Sequence, residues 1–125
     1  MNKIKPTAAE LEILQILWEC DYATVKFVHE KINHKKDVGY TTTLKIMQNM
    51  AAKKIVRRKP DGKKHIYMPV LKQQETQNLL IDKFLNATFS GSASKLVMQV
   101  LGNHKTSKEE LKRIRELIKK LEEGK

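Results

Sequence analysis

The chain has 125 residues, of which 40% are hydrophobic and 31% are charged, and its formal net charge is +11. This length and composition fit one or two small globular domains with enough apolar residues for a core. No apolar run reaches the roughly 20 residues that span a bilayer, so no membrane helix is expected. The single cysteine, Cys20, cannot form an internal disulfide, which predicts a reducing, cytoplasmic setting.

The positive charge is concentrated in one segment. Between Lys26 and Lys64, 12 Lys and Arg face 3 Asp and Glu, a net +9, whereas the other residues hold 13 against 11, a net +2. A basic segment within a surface of mixed charge is typical of polyanion binding. The alternative is a lysine-rich surface that only maintains solubility.

Two helices are predicted in the first third of the chain. Thr7-Ala8-Ala9-Glu10 has the pattern of a capping box, which predicts a first helix over Thr7–Cys20. Ala23-Thr24 fits either a short strand or the cap of a second helix. Apolar residues recur at helical spacing from Val25 to Ile32, so the second helix should end near Asn33.

A third helix, predicted over Tyr40–Met50, has one apolar and one polar face. The predicted apolar face consists of Leu44, Met47 and Ala51, with Thr43 and Met50 at its border. The predicted polar face consists of Thr42, Lys45, Asn49 and Lys53, flanked by Thr41 and Gln48. One face can therefore pack against the first two helices while the other stays free to bind.

A basic β-hairpin is predicted directly after this helix. Its strands are Ile55–Lys59 and Lys63–Met68, and its turn is Pro60-Asp61-Gly62, where proline presets φ and glycine supplies the left-handed position. A helix of this kind can enter a DNA major groove, and a basic hairpin beside it can bind phosphates. Together they predict a winged helix-turn-helix.

After Pro69 the pattern is purely helical. One helix is expected to end near Ser90-Gly91, and a second over Ser92–Leu101 should be stopped by Gly102-Asn103. A third should open with the capping box at Ser107. We therefore predict a winged-helix DNA-binding domain at 1–70 and a three-helix dimerisation domain at 71–125.

The C-terminal helices have more apolar surface than about 50 residues can bury alone. A second copy of the same region, in a two-fold dimer, would cover it. The alternative is an intramolecular bundle packed on the first domain. The residues predicted to form the dimer contact are Leu80, Phe84, Leu96, Val100, Leu111, Ile114, Ile118 and Leu121.

The sequence contains no pattern typical of an enzyme. His29-Glu30 resembles the start of a zinc-protease motif, but that motif needs a second histidine at position 33, which is Asn33, and His34 comes one residue too late. No glycine-rich phosphate loop or nucleophile elbow is present. We therefore predict no catalytic residue, no metal site and no cofactor.

The chain resembles the penicillinase-repressor family of bacterial winged-helix regulators, which control inducible β-lactam resistance. The matching segments are Leu11–Trp18, Ala23–His29, Tyr40–Leu44, Lys64–Tyr67 leading into Pro69, and Gly91-Ser92. The resemblance implies a homodimeric repressor bound to a palindromic operator in promoter DNA.

The resemblance also implies relief of repression by a protease linked to a membrane sensor of β-lactams. The family is cleaved at an Asn-Phe pair in the penultimate helix, and the matching positions here are Gln99-Val100. Copper-responsive relatives carry C-terminal cysteines, and Leu121–Lys125 contains none. Copper sensing is therefore not expected.

Double-stranded DNA is thus the predicted partner. The residues predicted to contact it are Tyr40, Thr41, Thr42, Lys45, Asn49, Lys53, Arg57, Arg58, Lys63 and Lys64. The alternative is a winged helix that binds RNA or the ribosome. A protein-interaction module is a third reading, which the +9 segment disfavours.

Overall fold

A computed structural model describes residues 5–124, so residues 1–4 of the predicted first domain and residue 125 of the second lie outside it. The elements in chain order are α1 (Ala8–Cys20), β1 (Ala23–Thr24), α2 (Val25–Asn33), α3 (Tyr40–Ala52), β2 (Val56–Asp61), β3 (Lys64–Pro69), α4 (Gln73–Thr88), α5 (Ala93–Asn103) and α6 (Lys108–Gly124). The predicted fold class, mainly α with a small β-hairpin, is confirmed.

The chain forms two compact units, the first ending at Ile81 and the second beginning at Asp82. The first unit thus extends beyond the boundary predicted near residue 70. Within it, the Trp18 Nε1–H of α1 donates to the Leu71 carbonyl at 2.9 Å, and Thr76 in the first turn of α4 is buried. The start of α4 therefore belongs with the N-terminal helices.

Local hydrogen bonds set the beginnings of α1 and α2. The Thr7 hydroxyl accepts from the Glu10 N–H at 3.1 Å while the Glu10 carboxylate accepts from the Thr7 N–H at 3.0 Å, which is the predicted capping box. Thr24 pairs with Ile66 in the sheet, and its hydroxyl also accepts from the Phe27 N–H at 3.1 Å. Ala23-Thr24 is therefore both a strand and a helix cap.

One hydrophobic core joins α1, α2, α3 and the sheet. Its buried apolar residues are Ile13, Leu14, Leu17, Ala23, Val25, Val28, Ile32, Met47, Met50, Ile55, Val56 and Tyr67. Each helix contributes residues at three- and four-residue spacing, as expected for a helix with one buried face. The core therefore holds α3 by one side only.

The hairpin formed by β2 and β3, called the wing below, turns one residue later than predicted. Asp61 pairs with Lys64, so the turn consists of Gly62 and Lys63, and Pro60 lies inside β2. Gly62 has φ +66°, at the position where a two-residue type II′ hairpin loop favours glycine. The strand order is β1-β3-β2, so Pro60 is on an edge strand, where its missing N–H is tolerated.

A Schellman motif reverses the chain between α3 and the wing. The Ile55 N–H donates to the Met50 carbonyl at 3.1 Å, and the Lys54 N–H donates to the Ala51 carbonyl at 3.0 Å. Lys54 has φ +68°, the left-handed conformation that this motif usually assigns to glycine. The chain therefore passes directly from α3 into β2 at the cost of a strained lysine.

The last three helices follow the predicted order with one difference. Ser90 and Gly91 have φ +52° and +81° and separate α4 from α5, as expected from their positions. α5 continues through Gly102 to Asn103 instead of stopping before them. Ser107 and Glu110 form the second predicted capping box, at 3.0 and 3.3 Å. No helix of the described residues is long and apolar enough to cross a membrane.

We expect Lys54→Gly to stabilise the first unit by up to about 1 kcal/mol, because glycine relieves the left-handed crowding while adding some freedom to the unfolded chain. The matched change Lys45→Gly, inside α3, should instead destabilise it by about 1 kcal/mol. Urea unfolding of both variants measures the difference. Destabilisation by Lys54→Gly would contradict the strained turn.

Candidate nucleic-acid interface

The buried side of α3 is rotated slightly from the predicted one. Thr43, Met47 and Met50 are the fully buried residues of this helix, whereas Leu44 and Ala51 are only partly buried. Thr43 and Met50, placed at the border by the sequence, are therefore at the centre of the packed face. The reason is that the core packs against α3 along an i, i+4, i+7 line beginning at Thr43.

A polar contact fixes the first turn of α3 against α2. The Thr43 hydroxyl is buried, and it lies 3.3 Å from His29 Nδ1 in hydrogen-bonding contact. The Tyr40 ring meets the same imidazole edge-on, with ring centroids 5.6 Å apart. Because a buried hydroxyl needs a partner, this contact holds the start of α3 in one rotational setting.

The opposite side of α3 faces outward. Thr41, Lys45 and Gln48 lie across the helix from the buried line, and all three are exposed. Thr42 and Asn49 are also exposed, next to this row. We call Thr41, Lys45 and Gln48 the outward row. Thr41 and Gln48, predicted as flanking residues, therefore belong to it, whereas Thr42 and Asn49 lie beside it.

A groove of about 610 Å³ separates one edge of α3 from the wing, and we call it the wing groove. Its lining comes from α2, α3 and the wing, namely Thr24, Val25, Lys26, His29, Glu30, Tyr40, Leu44, Gln48, Arg58, Lys63, Lys64, His65 and Tyr67. Gln48 lies in both the outward row and this lining. The outward row and the wing groove therefore form one continuous surface.

The wing groove is electropositive. Lys26 at the start of α2 and Arg58, Lys63 and Lys64 in the wing supply four cations against the single carboxylate of Glu30. These residues come from separate elements, so the fold brings them together. A groove with this charge attracts phosphate groups.

Arg57 has a different setting from Arg58. Successive residues of a strand point to opposite faces, and Arg57 is absent from the wing groove. It lines a second groove with Lys54 and Val70, and Arg58 lines this groove as well. Arg58 therefore contributes to both grooves, whereas Arg57 contributes only to the second.

Lys53 is paired with a buried carboxylate. Its Nζ donates to Glu10 Oε2 of α1 at 2.6 Å, and the Glu10 side chain is only 5% exposed, whereas the Lys53 side chain is 46% exposed. The sequence predicted Lys53 as a DNA contact, and it did not indicate this partner. Lys53 is exposed like the other predicted DNA-contact residues, but it already has a carboxylate partner.

Sequence reasoning missed Lys26 and His65 as residues of the surface. Lys26 lies two residues after the N-cap of α2, and the sequence indicated it only as the start of the basic segment. His65 pairs with Pro60 across the hairpin. Lys26 begins the basic segment and His65 directly follows it, and this position is the sequence feature that could have indicated both residues. Their placement in the wing groove depends on the packing of α2 against β3, which the sequence does not specify.

Within residues 5–124, no cluster of His, Cys, Asp and Glu is arranged to hold a metal ion. His29 is already engaged by Thr43 and Tyr40, and Cys20 is a partly buried free thiol.

The model of the penicillinase repressor family matches residues 6–120, nearly the whole chain. The chain belongs to the penicillinase repressor family. This match confirms the resemblance inferred from the sequence. Penicillinase repressors are transcriptional regulators.

Individual penicillinase repressors are distant in sequence but similar in length. The chain is 28% identical to the transcriptional regulator BlaI of Mycobacterium tuberculosis, over 92% of this chain and 83% of that protein. It is 24% identical to the methicillin resistance regulatory protein MecI of Staphylococcus aureus, over 91% and 93%. It is 25% identical to the penicillinase repressor of Bacillus licheniformis, over 100% and 96%.

One solved structure has the same fold as the first unit. The DNA-binding domain of the repressor BlaI superimposes with a TM-score of 0.53 at 18% identity, covering 60% of this chain and 93% of that domain. The predicted winged-helix fold is thereby confirmed.

Stability should depend on the Glu10 carboxylate at acid pH. Burial raises the pKa of Glu10, but the hydrogen bonds from Lys53 and from the Thr7 N–H outweigh it and hold the pKa below 4.5. The carboxylate therefore stabilises the fold fully above about pH 4.5 and ceases to do so as the pH falls through the lowered pKa.

We expect the difference in unfolding free energy between the wild type and Glu10→Gln to shrink as the pH is lowered from about 6 to about 3. Urea titrations at each pH measure it. A difference that stays constant or grows over this range would contradict the lowered pKa.

Proposed function

We propose that this chain is a homodimeric repressor that binds a palindromic operator in duplex DNA. The observation that carries the proposal is the outward row of α3 lying beside an electropositive groove. The family supplies the general function, transcriptional repression. The contacts and the dimer are inferred from this chain's own surface.

α3 is the element suited to the major groove. A helix with its side chains is roughly 10–12 Å wide, and the B-DNA major groove is about 12 Å wide. Lys45 can donate to guanine O6 and N7, and Gln48 can pair with adenine in the manner of asparagine and glutamine. Thr41 offers a methyl group to thymine, while Thr42 and Asn49 lie beside the row for contacts to the next bases or phosphates.

The wing groove is suited to the sugar–phosphate backbone. Lys26, Lys63 and Lys64 can neutralise phosphates on one strand while α3 lies against the bases. Such contacts fix the register of the protein but do not read sequence. Their free energy comes largely from counterion release, so it should depend on salt.

The second unit supports a dimer because it has no interior of its own. No residue of α5 or α6 is buried, and Phe84, Ile118 and Leu121 are 51%, 48% and 67% exposed. Leu111, Ile114, Ile118 and Leu121 follow the 3-4-3 spacing of a packing seam. A second copy would cover this surface and present two recognition helices to two half-sites.

The relatives suggest which genes such a repressor controls. Their names refer to penicillinase and methicillin resistance, so we propose β-lactam resistance or a related stress response as the regulated process. A sensor-linked protease would act at Gln99-Val100, and both residues are exposed on α5.

Lys45→Ala should reduce the difference in binding free energy between the preferred duplex and random duplex by about 1–3 kcal/mol, because it removes a contact to a base edge. The preferred duplex is the sequence that the wild-type chain selects from random DNA. Titration against the preferred duplex and against random duplex measures this difference. Lys95→Ala, an exposed lysine on α5, is the control and should leave the difference unchanged. An unchanged difference for Lys45→Ala would refute the recognition face.

Lys64→Ala should weaken binding to both kinds of duplex alike and flatten the dependence of log K on log salt by roughly one unit, because one phosphate contact is lost. Binding at several salt concentrations gives the slope. Lys112→Ala on α6 serves as the matched control. A selective loss of the preferred duplex would mean that Lys64 reads bases instead.

Ile118→Asp should give a monomer at micromolar concentration, because it places a charge in the apolar seam. Sedimentation velocity distinguishes monomer from dimer. Lys120→Asp introduces the same carboxylate on the other side of α6 and should leave the dimer intact. A wild-type chain that sediments as a monomer would contradict the dimer proposal.

A further inference from the structure

A single carboxylate connects the beginning of α1 to the end of α3. One oxygen of Glu10 accepts from the Thr7 N–H at 3.0 Å, and the other accepts from Lys53 Nζ at 2.6 Å. Lys53 is the C-cap of α3, immediately before the Schellman turn into the wing. This contact therefore joins the capping box of α1 to the point where the recognition helix becomes the wing.

The burial of Glu10 makes this pair different from an ordinary surface ion pair. Its side chain is 5% exposed, so its charge depends on the Lys53 and Thr7 donors in place of water, while the Lys53 side chain is 46% exposed. Glu12 and Lys36 form the other ion pair of residues 5–124, but its two side chains are 40% and 53% exposed. Exposed pairs of this kind contribute little.

We propose that Glu10 is a positioning residue for DNA recognition, acting through Lys53 on the C-terminal end of α3. This inference rests on the proposed function. The core contacts only one face of α3, so core packing alone does not fix the tilt of the helix axis. The Glu10–Lys53 contact fixes its far end and, with it, the alignment of Lys45 and Gln48 and the start of the wing.

On this proposal the main role of Lys53 is to neutralise Glu10. The Lys53 side chain is 46% exposed and its ammonium has three N–H donors, of which Glu10 engages one at 2.6 Å, so a phosphate would share the lysine charge with the carboxylate. Because Glu10 is only 5% exposed and its other donor is the Thr7 N–H, loss of the lysine would leave a buried carboxylate poorly compensated.

Whether loss of the Glu10 charge weakens or strengthens DNA binding distinguishes a positioning residue from a carboxylate that only repels phosphates. Removing an acidic residue from a DNA-binding protein ordinarily strengthens binding, because it reduces repulsion of the phosphates. If Glu10 positions α3, its neutral form should weaken specific binding instead. Glu10→Gln suits this test because glutamine also completes a capping box.

The experiment compares two matched Glu–Lys pairs in the full chain. Glu10→Gln, Lys53→Met and the double variant are set beside Glu12→Gln and Lys36→Met. Each is titrated with the preferred and with random duplex at several salt concentrations, at a temperature at which circular dichroism reports it folded. Lys53→Arg tests rescue, since arginine keeps the charge.

We expect Glu10→Gln and Lys53→Met each to weaken binding of the preferred duplex by roughly three- to tenfold, with an unchanged salt slope. The double variant should lose no more than either single one, because the two residues act through one contact. Lys53→Arg should restore most of the affinity. Variants of the exposed pair should stay within about twofold of wild type.

Three results would overturn the inference. Tighter binding by Glu10→Gln, together with a salt slope about one unit flatter for Lys53→Met, would make Lys53 a phosphate ligand. If Glu10→Gln and Lys53→Met lower the melting temperature but leave the DNA affinities unchanged, the pair is only a structural contact. Independent, additive losses in the double variant would also contradict it. A wild-type chain without any duplex preference would instead refute the proposed function.

Discussion

The one-sided packing of α3 is the constraint on which the rest of this surface depends. Thr43, Met47 and Met50 lie in the core, and the contact between His29 and the Thr43 hydroxyl prevents the helix from turning about its axis. Lys45 and its neighbours face outward because of this packing. Rotation of α3 by one residue would bury part of the outward row and expose a methionine, so the free energy of the core also keeps this row on the surface.

The wing depends on the same helix. The Schellman turn after Lys53 leads directly into β2, and the pairing of Ala23-Thr24 with β3 draws the beginning of α2 to the hairpin. Cations that are far apart in the sequence, such as Lys26 and Lys64, thereby line one groove. The second unit has no comparable interior, which is consistent with apolar helices that need another surface to cover them.

Local signals in the sequence were sufficient for the helices, both capping boxes and the hairpin, because each is specified by residues three or four positions apart. They were insufficient where a contact spans many residues. Glu10 and Lys53 are 43 positions apart, so the sequence did not indicate their contact. Periodicity located the buried face of α3 only to within one residue. The apolar Leu44 is placed on the face and the polar Thr43 at its border by the sequence, whereas packing against the core buries Thr43 fully and Leu44 only partly.

Recognition of a specific duplex is proposed to need the outward row and the wing groove together. The most direct test is selection of bound fragments by the wild-type chain from a pool of random duplex DNA and structured RNA, at two salt concentrations. We expect enrichment of one inverted repeat with half-sites about 34 Å apart, retained at the higher salt. Fragments without a shared motif, or equal recovery of RNA, would contradict it.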